Sequence, residues 1–197
     1  MFSTISCPYH PDSVVCLDEL VPDLMMTDLP RHLLVERCDF SYRDDAASRL
    51  GGGGAGEVFR GELRNSFVAV KTFHSTRALR LVQIRVAVLC HLQHPCVVRL
   101  LGVCLRPLCF LLELAPHGSL ASVMEDITLG RRETEKEHVA SALWYLHDSD
   151  IIYRDLKTDN VLVWSLHDTD LVNVKLSDYG ISCFATPQGV AGDEGTP

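Results

Sequence analysis

The sequence, 197 residues long, lacks the features that mark several protein classes. Its eight cysteines form no Cys-x-x-Cys pair, and their scatter argues against a disulfide scaffold and predicts reduced thiols. Lys and Arg number only 18 against 26 acids, and the net charge of −8 argues against a nucleic-acid partner or an anionic membrane surface. There is no apolar run long enough for a membrane span and no secretory signal, so we expect a cytoplasmic protein.

Residues 1–45 contain no glycine and are rich in acids and prolines. Two stretches within them, 20–24 and 28–30, have the composition of turns, and no set of catalytic side chains occurs there. We therefore interpret residues 1–45 as a linker or the tail of a preceding domain. With 47% hydrophobic residues overall, the chain can form one core, which we assign to residues 46–197.

A glycine-rich loop opens the second segment. Gly51, Gly53 and Gly56 form a G-x-G-x-x-G pattern, which by itself also fits a dinucleotide fold or a flexible linker. The alternating residues 57–63, a turn at 64–66 and a second apolar run ending at Lys71 predict a β-hairpin, where a dinucleotide fold would have a helix. Because glycines have no side chains, the backbone of such a loop can approach phosphate groups closely.

A second polar motif lies further along the chain. Asp155, Lys157 and Asn160 follow an apolar stretch, and Asp178 comes after a predicted hairpin that would bring it back beside Asn160. Phosphoryl transfer needs such a set: a carboxylate to take a hydroxyl proton, a cation for the moving phosphate and two oxygen ligands for Mg²⁺. Two polar turns with acids by chance would explain one motif, but not both in order after the glycine loop.

The remaining elements fit a two-part fold. Predicted strands and helices are as follows: strands at 96–106, 108–114, 161–164 and 172–176, and helices at 76–92, 119–126 and 134–147. A connecting segment at 113–115 separates the strand-rich part from the helical part.

These motifs, in this order, resemble those of eukaryotic protein kinases, with Tyr153 and Tyr179 replacing the usual His and Phe. The resemblance implies an α+β, bilobal, protein-kinase-like fold with a five-stranded antiparallel small lobe, one helix in it, and an incomplete helical large lobe. It implies Asp155 as the catalytic base, Lys157 on the γ-phosphoryl group, and Asn160 and Asp178 as Mg²⁺ ligands. It also implies an ATP site made by Leu50, Gly51, Gly53, Gly56, Val58, Ala69, Lys71, Glu113, Ala115 and Leu162.

Several stretches resemble one branch in particular, the leucine-rich-repeat protein kinases of the Roco family: 21–24, 28–31, 152–155, 178–181 and 194–197. On that resemblance, residues 1–45 are the end of a C-of-Roc domain and residues 46–197 a kinase domain truncated in its activation segment. It implies an upstream Roc GTPase domain, a Ser/Thr-containing protein substrate and a homodimer. Lys157, two places after Asp155, is the form typical of Ser/Thr kinases.

One position departs strongly from the kinase pattern. Arg85 stands where the helix of the small lobe carries a glutamate that pairs with the strand lysine, and there is no acid between Lys71 and Glu113. We therefore expect Asp178 to be the alternative partner of Lys71. Two other interpretations stay open, a nucleotide-binding pseudokinase scaffold and an inactive partial chain. In a partial chain, the following residues should lose much of their cover: Leu146, Ile151, Ile152, Leu156 and Val161.

Overall fold

The computed structural model describes residues 4–7, 10–16, 29–53, 56–73, 89–90, 92–124, 132–167, 170–178 and 183–184. The predicted helix at 76–92, including Arg85, lies almost entirely outside these residues. In the part of the chain that is described, no helix is both long and apolar enough to cross a membrane.

The largest element is a six-stranded antiparallel sheet. Its strands are β3 (Phe40–Tyr42), β4 (Arg49–Gly53), β5 (Gly56–Leu63), β6 (Ser66–Thr72), β7 (Leu100–Leu105) and β8 (Leu108–Glu113). The order is β3-β5-β6-β8-β7, and β4 pairs with the first half of β5 while β3 pairs with its second half. Strands β5–β8 correspond to the four strands predicted here from local patterns, whereas β4 lies in the predicted glycine-rich loop; the resemblance implied five strands in all. The additional strand, β3, lies within the segment that we assigned to a preceding domain.

Alternation along these strands separates two faces. Phe59, Val68, Val70 and Leu111 point to one face and are at most 2% exposed. Val68, Val70 and Leu111 form a cluster with Phe40 of β3, which explains why a three-residue strand is held at the sheet edge. The opposite face carries the candidate nucleotide-binding residues.

Among the described residues, the second part of the chain contains two α-helices, a 3-10 helix at Thr158–Asn160 and short strands. Helix α1 (Leu120–Val123) is capped by the Ser119 side chain, and helix α2 (Arg132–Asp148) confirms the predicted helix at 134–147. The strands are β9 (Ile151–Ile152), β10 (Val161–Val163), β11 (Val174–Leu176) and β12 (Cys183–Phe184), with β10 pairing β11 and β9 pairing β12. A separate hairpin, β1 (Thr4–Cys7) and β2 (His10–Cys16), lies near the N-terminus.

Burial in this second part corrects the expectation of lost cover. Leu146, Ile151 and Val161 are at most 4% exposed, because they pack in one cluster with α2 and the β10–β11 hairpin, so the prediction is wrong for these three. Ile152 is half-buried. Leu156, at 54% exposed, is the residue for which the expectation is right.

Candidate active site

Lys71 lies near the end of β6, where it pairs across the sheet with Val58 and Phe110. Directly paired residues share a face, so these side chains lie together on the candidate nucleotide-binding face. Behind them is a small cavity of about 30 Å³. Its lining consists of Lys71, Phe73, Leu89, Val98, Phe110, Leu112 and Asp178.

The Lys71 ammonium lies 2.7 Å from Oδ1 of Asp178, and the two side chains are 13% and 43% exposed. The partner expected for Lys71 from the sequence is therefore the one that the structure shows. Asp178 has a φ of +48°, a left-handed conformation that is uncommon for residues other than glycine but is tolerated by aspartate. This contact joins the sheet to the segment after β11.

Asp155, Lys157 and Asn160 come together on the loop that follows β9. The Asn160 amide nitrogen donates to the Asp155 carboxylate and to the Asp155 main-chain oxygen, both at 2.9 Å. The Lys157 ammonium lies 3.0 Å from the same carboxylate, whose side chain is 16% exposed. Arg154 takes a φ of +65°, which turns the chain sharply just before Asp155.

A second set of bonds ties this loop to Asp178. The main-chain oxygen of Asn160 accepts bonds from the Ser177 main-chain nitrogen at 2.8 Å and from its hydroxyl at 3.0 Å. The Tyr153 hydroxyl donates to the Ser177 main-chain oxygen. Burial, together with the nearby carboxylates of Asp178 and Asp155, raises the pKa of the Tyr153 hydroxyl, which therefore keeps its proton and its donor role. The residue before Asp178 is thus fixed from two sides.

The glycine loop divides into two kinds of position. A Cβ on Gly56 would lie 1.8 Å from the Thr72 main-chain oxygen, so the close approach of β5 and β6 requires glycine there. A Cβ on Gly51 or Gly53 would meet nothing within 4 Å. Leu50, beside them, is 51% exposed.

The candidate adenine side lies where β8 ends. Ala69 and Leu112 pair across the sheet on the same face as Lys71. After Glu113 and Ala115, the chain bonds to β10: the His117 nitrogen donates to the Val163 oxygen at 3.3 Å, and the Val163 nitrogen donates to the Gly118 oxygen at 2.8 Å. An isolated bridge between Ser119 and Leu162 continues this pairing, so Leu162 lies next to the connecting segment.

The residues present fit Mg²⁺ and a nucleotide. An amide oxygen and a carboxylate are ligand types that Mg²⁺ prefers, and the amide nitrogen of Asn160 is already bonded to Asp155, so its oxygen is the atom that can face a metal. Asp178 is joined to Asn160 through Ser177. Open space at Gly51 and Gly53 leaves room for phosphate groups against the loop backbone.

Sequence reasoning missed two residues of this site. Ser177 was not singled out, although its hydroxyl and main chain connect the two motifs. Lys175 was treated as an ordinary strand residue, yet its ammonium lies 2.6 Å from the Glu113 carboxylate and its side chain is 13% exposed. A lysine between the buried residues Val174 and Leu176 was the available signal.

Comparison with known proteins finds relatives that are all named as protein kinases. The protein kinase domain family model matches residues 45–197. The chain is 42% identical over 98% of its length to mouse leucine-rich repeat serine/threonine-protein kinase 1, and 34% identical over 86% to the probable serine/threonine-protein kinase roco5 of Dictyostelium discoideum. It is 33% identical over 68% to the mitogen-activated protein kinase kinase kinase dlk-1 of Caenorhabditis briggsae. The chain spans 11%, 6% and 15% of the lengths of these relatives.

The family model covers the glycine loop, Lys71, the Asp155 loop and Asp178 in a single match. The relatives named as a leucine-rich repeat kinase and a Roco kinase confirm the branch that the sequence resembles. The chain belongs to the protein kinase domain family, on the branch of the Roco-type serine/threonine kinases.

Proposed function

We propose that this chain transfers the γ-phosphoryl group of ATP, with Mg²⁺, to a Ser or Thr hydroxyl of a protein. One observation carries the proposal: Asn160 bonds to the Asp155 carboxylate with its amide and to Ser177, next to Asp178, with its main chain. The proposed base and the two proposed metal ligands are thereby held in one hydrogen-bonded unit. Lys71 adds a cation to the same unit through Asp178.

Each side chain has a definite part in this reaction. Asp155 orients the substrate hydroxyl and accepts its proton as the hydroxyl oxygen bonds to the γ-phosphorus and the bond to the β-phosphate oxygen breaks. Lys157, 3.0 Å from the Asp155 carboxylate, supplies a cation beside the transferred group. Asn160 and Asp178 would hold Mg²⁺, and Lys71 with the glycine loop would hold the phosphates. Bound ATP and Mg²⁺ would supply the transferable group and neutralise its charge.

Phosphoryl transfer from γ-³²P-labelled ATP to a Ser/Thr-rich protein substrate tests the proposal. The wild-type chain should label the substrate in the presence of Mg²⁺, and Asp155→Asn should abolish labelling while leaving nucleotide affinity within about twofold. Phosphoamino-acid analysis should find phosphoserine or phosphothreonine. Equal labelling by wild type and Asp155→Asn would refute the assigned role of Asp155.

A nucleotide-binding scaffold is the second candidate. The Lys71–Asp178 contact favours it, because the strand lysine and the proposed metal acid neutralise one another at 2.7 Å, and the sequence offers no acid between Lys71 and Glu113 to release them. In that case the chain would bind an ATP analogue without transferring phosphate. Calorimetry and the labelling assay, carried out on one preparation, separate the two candidates.

The domain assignment and cellular context belong to the same proposal. Residues 1–45 would be the end of a C-of-Roc domain and residues 46–197 a kinase domain, in a cytoplasmic protein with an upstream Roc GTPase domain and a homodimeric assembly. The similarity to Roco kinases over 86% or more of the chain supports this context. Strand β3 pairs with β5, so the last part of residues 1–45 would add a strand to the edge of the kinase sheet.

A further inference from the structure

A cluster of charges lies at the end of β8, away from the catalytic loop. The Lys175 ammonium is 2.6 Å from Oε2 of Glu113, and the two side chains are only 13% and 19% exposed. Arg99 lies 3.4 Å from the other carboxylate oxygen, but its side chain is 63% exposed. Lys175 also lies over the Trp164 ring, 4.4 Å from its centre. A pair with so little exposure is screened weakly by water, unlike a surface ion pair.

The pair connects the two ends of the candidate nucleotide site. Glu113 ends β8 and begins the segment at 113–115 that would contact adenine. Leu112 points to the cavity beside Lys71, so alternation along the strand directs the Glu113 side chain to the opposite face and leaves its backbone at the site. Lys175 lies in β11, three residues before the proposed metal ligand Asp178.

Backbone bonds show what the pair bridges. Segment 96–99 lies between β8 and β11: the Glu113 nitrogen donates to the Arg99 oxygen at 3.1 Å. On the other side, the Val98 nitrogen donates to the Leu176 oxygen and the Leu176 nitrogen donates to the Cys96 oxygen, both at 2.8 Å. The Glu113–Lys175 pair crosses this segment and joins its two neighbours directly.

We infer that Glu113 and Lys175 are positioning residues, which set the separation between the adenine-contacting backbone and Asp178. This inference rests on the proposed function, because it concerns how one nucleotide spans both places. A ligand that contacts only the connecting segment should be insensitive to the pair. A ligand that also engages Asp178 through Mg²⁺ should depend on it.

Two ligands therefore test the inference on the full chain: adenosine, and a non-hydrolysable ATP analogue with Mg²⁺. Lys175→Met removes the ammonium but keeps an unbranched side chain against Trp164. It should weaken the Mg²⁺–analogue complex at least tenfold and adenosine less than twofold. Glu113→Gln should weaken the Mg²⁺–analogue complex by a similar factor, and the double variant should show no further loss, because both single changes remove the same contact.

Two controls separate positioning from general stability. Lys175→Arg keeps the charge and should restore affinity for the Mg²⁺–analogue complex to within about threefold of wild type. Arg99→Gln removes the exposed partner of Glu113 and should change neither affinity more than twofold. If Lys175→Met does not fold, the affinities of Glu113→Gln and Lys175→Arg for the Mg²⁺–analogue complex are compared instead. The positioning role requires Glu113→Gln to bind this complex more weakly than Lys175→Arg does.

The outcomes distinguish this inference from the proposed function. The positioning role is overturned by any of three results: adenosine and the Mg²⁺–analogue complex lose affinity equally, the losses of affinity add in the double variant, or neither single variant loses affinity. In each case, binding of the analogue by the wild-type chain would still support the nucleotide site. If the wild-type chain binds neither ligand, the proposed function fails, and the positioning role fails with it.

Discussion

From the contact between Asn160 and Asp155, we predict that a negative charge at position 160 makes the stability of the chain depend on pH. Asn160 is 6% exposed and donates two bonds of 2.9 Å, one of them to a carboxylate. A bond to a charged group is worth about 1.5–3 kcal/mol and one between neutral groups about 0.5–1.5 kcal/mol. Asn160→Ala should therefore lower the free energy of unfolding by about 2–4.5 kcal/mol, to a similar extent at all pH values between 4.5 and 7.5.

Asn160→Asp has nearly the same shape but places a second carboxylate against Asp155. Two unit charges separated by the 2.9 Å of the present hydrogen bond repel by about 6 kcal/mol at an effective dielectric constant near 20, an upper limit because a bound proton relieves the repulsion. The pKa of one carboxyl group of the pair should therefore be raised in the folded variant. When the pKa of a carboxyl group is higher in the folded state than in the unfolded state, where it is about 3.9, the protein is most stable below pH 3.9. As pH rises from there towards the folded pKa, the free energy of unfolding falls by about 1.4 kcal/mol per pH unit.

Urea unfolding at pH 4.5 and 7.5, on either side of the sequence pI of about 5.5, measures this difference. Relative to Asn160→Ala, Asn160→Asp should lose up to about 4 kcal/mol more between the two pH values, since about three pH units can contribute. Thr158→Asp, which adds a charge at an exposed position two residues before Asn160, is the matched control and should show no such slope. Parallel pH profiles for both position-160 variants would refute the contact and, with it, the hydrogen-bonded unit that carries the proposed function.

Three other changes test separate parts of the site. Asp178→Ala should remove the Mg²⁺ dependence of ATP-analogue binding, and a Mg²⁺ dependence in calorimetry equal to that of wild type would contradict its role as a ligand. Tyr153→Phe should cost about 1–3 kcal/mol in urea unfolding because it removes a buried donor. Because the pKa of Tyr153 is raised in the folded state, the wild-type chain should lose stability above about pH 10, and Tyr153→Phe should abolish that loss. A variant that loses stability with pH as steeply as wild type would contradict this role of Tyr153. Gly56→Ala should cost about 1–3 kcal/mol in thermal unfolding, since its Cβ would lie 1.8 Å from the Thr72 oxygen, whereas Gly51→Ala, with nothing within 4 Å, should cost much less; equal losses would contradict the packing argument.

Local patterns predicted much of the sheet and of the site. Alternation and a turn at residues 64–66 predict the β5–β6 hairpin, and the structure has Arg64 and Asn65 in the left-handed conformation that such a turn uses. The motif order predicts that Lys71 lies near Asp178, because there is no acid between Lys71 and Glu113, where the helix of the small lobe would carry the glutamate that pairs with the lysine. The hairpin is predicted by the residues of one short stretch, and the Lys71–Asp178 contact by where acids occur along the chain.

Long-range contacts account for what the sequence did not predict. Strand β3 lies in an acidic segment, and long-range contacts explain its place in the sheet: it pairs with β5, and Phe40 lies in one cluster with Val68 and Val70. The partner of Glu113 is 62 residues away, beyond any local pattern. Leu146 was expected to lose cover in a partial chain, but it packs with buried residues of the β10–β11 hairpin, a contribution that is not visible in the local sequence.

Asp178 shows how these two kinds of information combine. Its φ of +48° is uncommon and needs support from its surroundings. That support comes from separate parts of the chain: Lys71 of the sheet holds its carboxylate, the Asn160 main chain holds Ser177, and Val98 bonds to Leu176. The local motif supplies an acid, but its position depends on the sheet, the Asp155 loop and segment 96–99 together. A substitution in any one of these three parts should therefore alter Mg²⁺-dependent nucleotide affinity under conditions in which the chain is still folded.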